Sequence, residues 1–190
     1  MGIIISDGTG SGRSTTVNPD NRLSTEALTL HPLEFYSHHG RAYWIASDFI
    51  SLTTTASYSA LLYLKNTDTK YRFHIEYIRT SSTVGTLWRI IKNPTTGTLI
   101  SGGSAITPVN GLFESSKIAV ATALKGADAS TMTNGTFASQ HQTGAHNSFE
   151  SMMRGGLILS NNTAIGIEAK PSASGVVGAT IVGWYELPED

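Results

Sequence analysis

The chain has 190 residues, of which 39% are apolar and only 14% charged, with a formal net charge of −1 and no cysteine. This composition excludes wholesale disorder, a disulfide framework or thiolate metal site, and the clustered Lys and Arg that displace counterions from a nucleic-acid duplex. The longest apolar runs fall far short of the ~20 residues of a membrane helix, and residues 1–25 lack the charged-then-apolar layout of a signal peptide. Neither a nucleic acid nor a membrane is therefore an expected partner.

Residues 1–25 read as an extended arm and residues 26–190 as a β body. The arm holds one apolar knot, Ile3-Ile4-Ile5, then a Gly/Ser/Thr run and a turn at Asn18-Pro19-Asp20-Asn21. Nothing in residues 6–22 has the period of a helix or a half-buried strand. Ordering a backbone costs about 1–2 kcal/mol per residue, more than this composition can offset alone. The expected holder is another protein chain. Ile3, Ile4 and Ile5 would add a strand to a neighbour's sheet edge, Val17 and Leu23 would fill shallow pockets, and the cations Arg13 and Arg22 would pair with acidic groups.

In the body, residues 26–30 begin an alternating pattern that Pro32 restricts to an edge strand. Phe35-Tyr36 leads into a turn at His38-His39-Gly40. Residues 42–53 and 57–66 read as strands, the first with a break near Ser47-Asp48. Residues 70–79, KYRFHIEYIR, alternate throughout, with Tyr71, Phe73, Ile75 and Tyr77 on a buried face and Arg72, His74 and Glu76 on a wet one. Residues 84–92 form a strand, 93–97 a hairpin loop, and 98–100 the return from it.

Residues 101–112 read as loop and 116–122 as a short strand, with 115–124 the one weak helical candidate. Residues 125–147 look like a long excursion with little core of its own, of the kind that is functional or held by a neighbour. A strand broken at Gly155-Gly156 spans 148–160, and another spans 164–170. The last strand, 176–187, is apolar on both faces, as a central or interface strand is. Its glycines 178 and 183 mark a bulge or close backbone approach. Many short strands at 8–12-residue spacing argue for an all-β fold, a jelly-roll-like β-sandwich with an extended N-terminal arm.

Chemical motifs are sparse. His141 and His146 lie five apart and His38-His39 are adjacent, but no HxH or HExxH spacing occurs. Carboxylates are scattered singly at Glu34, Asp48, Glu76, Glu114, Asp128, Glu150 and Glu168, with no local pair of glycosidase type. There is no GxSxG elbow, and DGTGSG at 7–12 lacks the Lys-Ser/Thr ending of a phosphate loop. No catalytic residue, metal or cofactor is expected. Tyr43, Trp44, Tyr58, Trp88, Trp184 and Tyr185 could stack on sugars, but aromatics in strands are more often core. Asn134 and Asn161 match the glycosylation pattern, which a bacterial or viral product would not use.

Several stretches resemble a family of tailed-bacteriophage virion proteins: DGTGSGRSTTVNPDNRLST at the start, SLTTTASYSALLYLKN, NPTTGTLI, KGADASTMTNGT and the closing GWYE. The resemblance implies a structural component made in the host bacterial cytoplasm and carried on the virion, of the capsid decoration or cement type. Such proteins are typically β-rich homotrimers seated on the major capsid protein lattice. The resemblance carries no catalytic residues. The rival expectation is a receptor- or glycan-binding β-sandwich of a tail, fibre or head spike.

Overall fold

The computed structural model describes residues 31–188 in full and, before them, the backbone of residues 4–6 and 14–16. The chain forms two compact units, Met1–His31 and Pro32–Asp190. In the first, β1 (Ile4–Ser6) pairs antiparallel with β2 (Ser14–Thr16), with Ile4 opposite Thr16 and Ser6 opposite Ser14. Residues 6–22, which show no strand period in sequence, nonetheless hold a strand at Ser14-Thr15-Thr16. Three residues are too few to show a period, while β-branched threonines suit a pleated backbone. A ribbon of this size is marginal by itself in water. The expected edge strand over residues 26–30 lies outside the described residues.

The second unit opens on the short helix α1 (Pro32–His38), and the turn expected at His38-His39-Gly40 follows at residues 39–40. Its local chemistry is that of a helix: Pro32 at the first position, Glu34 in the first turn and His38 in the last. Gly40 follows at φ 62°, the left-handed conformation that closes a helix. Seven residues are too short for a periodic stripe, and packing sustains the helix. Tyr36 stacks on Trp184, with ring centroids 5.8 Å apart.

The strands that follow are β3 (Ala42–Leu52), β4 (Ser59–Asn66), β5 (Arg72–Ser82) and β6 (Thr86–Lys92). The short helix α2 (Thr98–Gly102) and the two-residue strands β7 (Ser104–Ala105) and β8 (Val109–Asn110) come next. Then come β9 (Ala121–Lys125), β10 (Thr136–Thr143), β11 (Asn147–Leu159), β12 (Ala164–Pro171) and β13 (Gly175–Glu186). One sheet has the order β11-β5-β13-β3-β8 and the other β10-β6-β12-β4-β9-β7. Without the inserted β7, β8 and β9, eight antiparallel strands remain, four in each sheet. The chain switches sheet at every connection except β6 to β10, and the first strand lies beside the last. That is a jelly roll, the expected fold.

The two inner faces meet in one core. Phe73, Ile75, Ile78 and Ile181 come from one sheet, and Leu61, Leu64, Trp88, Ile165 and Ile167 from the other. β13 is central, between β3 and β5, and is buried on both faces within its own subunit. Of the two readings, central or interface, it is the central one: the outer side, at Trp184, is covered by Tyr36, by His74 (rings 5.6 Å apart) and by the Gly155 turn.

The alternation of β5 holds from Arg72 to Ile75 and then changes phase. Opposite β13, Ile75 pairs with Gly183 and Tyr77 with Val182, which leaves Glu76 as the extra residue of a bulge. Glu76 is buried and Tyr77 half-buried, against the expected wet and dry faces. A single inserted residue exchanges the faces of everything after it. Gly178 and Gly183, expected to mark a bulge or a close backbone approach, lie where β13 shifts register against bulges in β3 and β5, and at Gly183 the β5 backbone comes close. Asp48 marks the expected break in β3, at φ 59°.

Residues 98–100 were expected to return as a strand and are helical in α2. Leu99 is drawn down onto Ala60, Tyr63, Met132 and Ala164 in a second cluster outside the sheet. The excursion 125–147 is likewise held by its own subunit. Met132 is buried over Gly166, and residues 136–143 are sheet strand β10. Residues 115–120 are neither strand nor helix, and β9 begins at Ala121.

Asp128 ties this excursion to the β3–β4 loop. Its carboxylate accepts the hydroxyl and the N–H of Thr53 and the N–H of Thr54, the last two at 3.1 Å. The Thr53 hydroxyl first, then these amides, hold its pKa down at about 2, against an unfolded value of 3.8. A depressed acid stabilises the fold above the unfolded pKa and loses that contribution as pH falls toward the folded one. Asp128→Asn is expected to melt lower than the parent near pH 6, and the gap is expected to close between about pH 4 and pH 2. Thermal melts at stepped pH check this; a gap independent of pH would refute it.

Candidate interaction surfaces

Several titratable groups of the body are engaged structurally. Arg79 donates to Glu150 at 2.5 and 2.9 Å, Lys125 pairs with Asp48, and Glu186 lies 3.3 Å from the Trp184 indole nitrogen. Glu168 is buried, and burial raises its pKa against the pull of Arg89 and the Met132 N–H. The Arg89 guanidinium lies 3.8 Å from the centroid of the Tyr58 ring.

His141 on β10 reaches across the sandwich, its Nε2 2.9 Å from the Thr80 hydroxyl on β5. Its ring stacks beside Trp88 and lies 4.6 Å from Phe149, and burial lowers its pKa. It is an inter-sheet post, and His146 sits on the exposed turn after β10. Among the described residues no group of three or more His, Asp or Glu side chains could hold a metal ion.

Of the aromatics weighed as sugar platforms, Tyr43, Trp88, Trp184 and Tyr185 are buried, and Trp44 and Tyr58 are half-buried. The rings that do face water are Phe35, Phe49, Phe113, Phe137 and Phe149. Among the described residues every exposed Phe, Tyr or Trp is thus a phenylalanine. A phenyl ring has no hydroxyl or N–H to keep in water, and such residues in numbers mark surfaces that proteins cover.

Most of the exposed apolar side chains gather at the two lateral edges of the sandwich. At one edge β10 and β11 each pair on one side only, and Phe137, Phe149, Met152 and Ile158 are exposed. Between the sheets here opens a cleft of about 360 Å³, lined by Ile90, Ala138, Leu157, Leu159 and Ile165 among others. At the opposite edge, around β8 and residues 111–120, stand Val109, Phe113, Ile118 and Val120. Phe113 is 91% exposed and Ile118 80%.

Beside that second edge lies a pocket of about 400 Å³, lined by Arg41, Tyr43, Asp68, Tyr71, Lys117 and Tyr185 among others. The Arg41 guanidinium is 4.8 Å from the centroid of the Tyr71 ring. Phe149 belongs to the strand read over 148–160, whereas Phe113 follows the loop read over 101–112 and Phe137 sits in the long excursion, both without alternation.

The arm residues expected to bind a partner are mostly beyond the described residues: Ile3, Arg13, Val17, Arg22 and Leu23 lie outside them. Ile4 and Ile5 are in β1, whose pairing strand is β2 of the same arm. Compared with protein-family models, curated proteins and solved structures, the chain matches none.

Proposed function

We propose that this chain is a bacteriophage virion structural protein without enzymatic activity, a capsid decoration protein that binds the major capsid protein lattice as a homotrimer through its N-terminal arm. The observation that carries the reading is the surface of the body: a jelly roll on which, among the described residues, every exposed Phe, Tyr or Trp ring is a phenylalanine and whose exposed apolar side chains lie mostly along its two lateral edges. Such a surface is suited to packing against protein. The low charge content and the polar arm agree with it, as does the sequence resemblance. A protein that binds the assembled shell and not its dissociated subunits shifts the balance toward assembly by mass action.

Removal of residues 1–25 tests the arm. The truncated protein is expected to keep the thermal melt and oligomeric mass of the parent and to lose binding to undecorated particles in a co-sedimentation assay. Full occupancy without the arm would refute the assignment of the anchor. A second reading, a glycan-binding module, is favoured by the pocket at Arg41, Tyr71 and Lys117, where cations and tyrosine rings meet. A glycan-array hit abolished by Arg41→Ala, with copies at a single vertex of the particle, would establish that reading instead.

A further inference from the structure

We infer that copies of this chain join edge to edge, with Phe113 of one copy seated in the apolar cleft between β10 and β11 of the next. The inference rests on the homotrimer in the reading above and not on what the arm grips.

The projecting half is a fixed turn, not a loose one. The Asn110 side-chain amide donates to the carbonyls of Gly40 and Lys117, both at 3.0 Å. Its oxygen accepts the Leu112 N–H at 2.9 Å, and the Ser115 N–H bonds back to Leu112 at 2.8 Å. The Lys117 ammonium donates to the His39 carbonyl at 2.7 Å. These bonds hold the turn in shape while the Phe113 ring at its apex stands almost wholly in water. Ordering a segment to display an apolar ring gains nothing for the isolated subunit.

The receiving half has matching chemistry. The cleft is walled by Ile90, Leu157, Leu159 and Ile165, with the small Ala138 and Gly156 also lining it. Apolar walls with room for a ring take an apolar group in preference to a polar one. The β10 and β11 edges beside it also offer unpaired backbone groups, which edge strands otherwise leave to water. Charge agrees: Lys92 lines the cleft and Glu114 follows Phe113 in the turn. With a net charge of −1, copies repel each other weakly.

The occupant is a second copy because both halves of the contact belong to one chain and lie at opposite edges. β8, which precedes the turn, ends the five-stranded sheet at one side, and β11 ends it at the other. A contact between two different patches is heterologous. It runs head to tail and closes into a ring where the rotation permits. An isologous dimer would have to bury one patch against itself and leave the other in water.

The test is mass measurement on the purified full chain in the absence of particles, by native mass spectrometry and by light scattering across a concentration series. The wild-type protein is expected as a closed trimer. Phe113→Asp removes the projection, and because the ring is exposed the subunit fold is undisturbed, which a thermal melt verifies. Ala138→Arg, also at an exposed position, fills the cleft. Each variant alone is expected to fall to a monomer, a threefold loss of mass. Mixed together they retain one intact contact, and a 1:1 pair that grows no further is expected. A monomeric or strictly dimeric wild type would overturn the inference. So would a Phe113→Asp protein of unchanged mass, or a mixture that fails to pair. A trimeric wild type whose Phe113→Asp variant keeps its mass sinks this contact and leaves the homotrimer standing, while loss of shell binding on arm deletion is read on particles and tests the anchor alone.

Discussion

Trp88→Ala is expected to lower the unfolding free energy by about 3–5 kcal/mol, the range for removing a large buried aromatic. Trp88 is 0% exposed, on the inner face of β6. Its indole N–H donates to the Thr143 hydroxyl at 2.9 Å, and its ring stacks beside His141. Truncation therefore leaves a cavity and also leaves a buried hydroxyl without its donor, which costs more than a lost neutral hydrogen bond does. In a body of this size the loss corresponds to a fall in melting temperature of about 10 °C or more. Trp88→Phe keeps most of the buried area, removes only the N–H, and is expected to cost about a third as much. Denaturant titration of the three proteins separates the terms. Equal losses for Ala and Phe would mean that the hydrogen bond, not the packing, dominates at this position.

Gly183→Ala is expected to destabilise by about 3 kcal/mol, the upper end of the usual penalty for overpacking. A Cβ at Gly183 would lie 2.1 Å from the carbonyl oxygen of His74 and 2.9 Å from the Phe73 ring. The obstacle is backbone on the adjoining strand, so no rotamer change relieves it. The site is also where β13 and β5 shift register around Glu76. The strands must part or the bulge must move, and a moved bulge exchanges buried and exposed faces. By contrast Gly102→Ala meets nothing within 4 Å and is expected to be near neutral. A mild effect at Gly183, measured by the same titration, would show that the two strands can slide without loss.

Strand order explains why both substitutions act on the whole body. β13 lies between β3 and β5, and β6 between β10 and β12. Neither has a free edge through which a local defect could relax. The exposed apolar side chains lie instead mostly at the edge strands and the turn after β8, where a substitution is expected to leave the fold alone.

Reading the strands from sequence succeeded where one face is buried and the other is not, or where both are. β3, β4, β6, β11, β12 and β13 fall within a few residues of their expected places because alternation and apolar runs are local signals. It failed where the cause is not local. Glu76 reads as a wet residue until the bulge opposite Gly183 is known. Residues 98–100 read as a returning strand because Thr and Ile favour one, yet Leu99 is pulled into a helix by the cluster around Met132. β10 was missed altogether, since Thr136–Gln140 is exposed on both faces and shows no alternation. The same exposure that hid the strand makes it part of the candidate surface.

What the amino-acid sequence determined by itself is the class: an all-β sandwich, from strand spacing, with few charges and a Gly/Thr-rich arm. Hydrophobic period and turn chemistry are written into neighbouring residues, so they survive without coordinates. Only the tertiary structure decided the pairing of the eight strands into a jelly roll, the phase of β5 after its bulge, and the placing of Phe113 and the β10–β11 cleft at opposite edges. Each of these depends on which distant segment lies alongside, and a strand's free edges and exposed rings exist only once its neighbours are known.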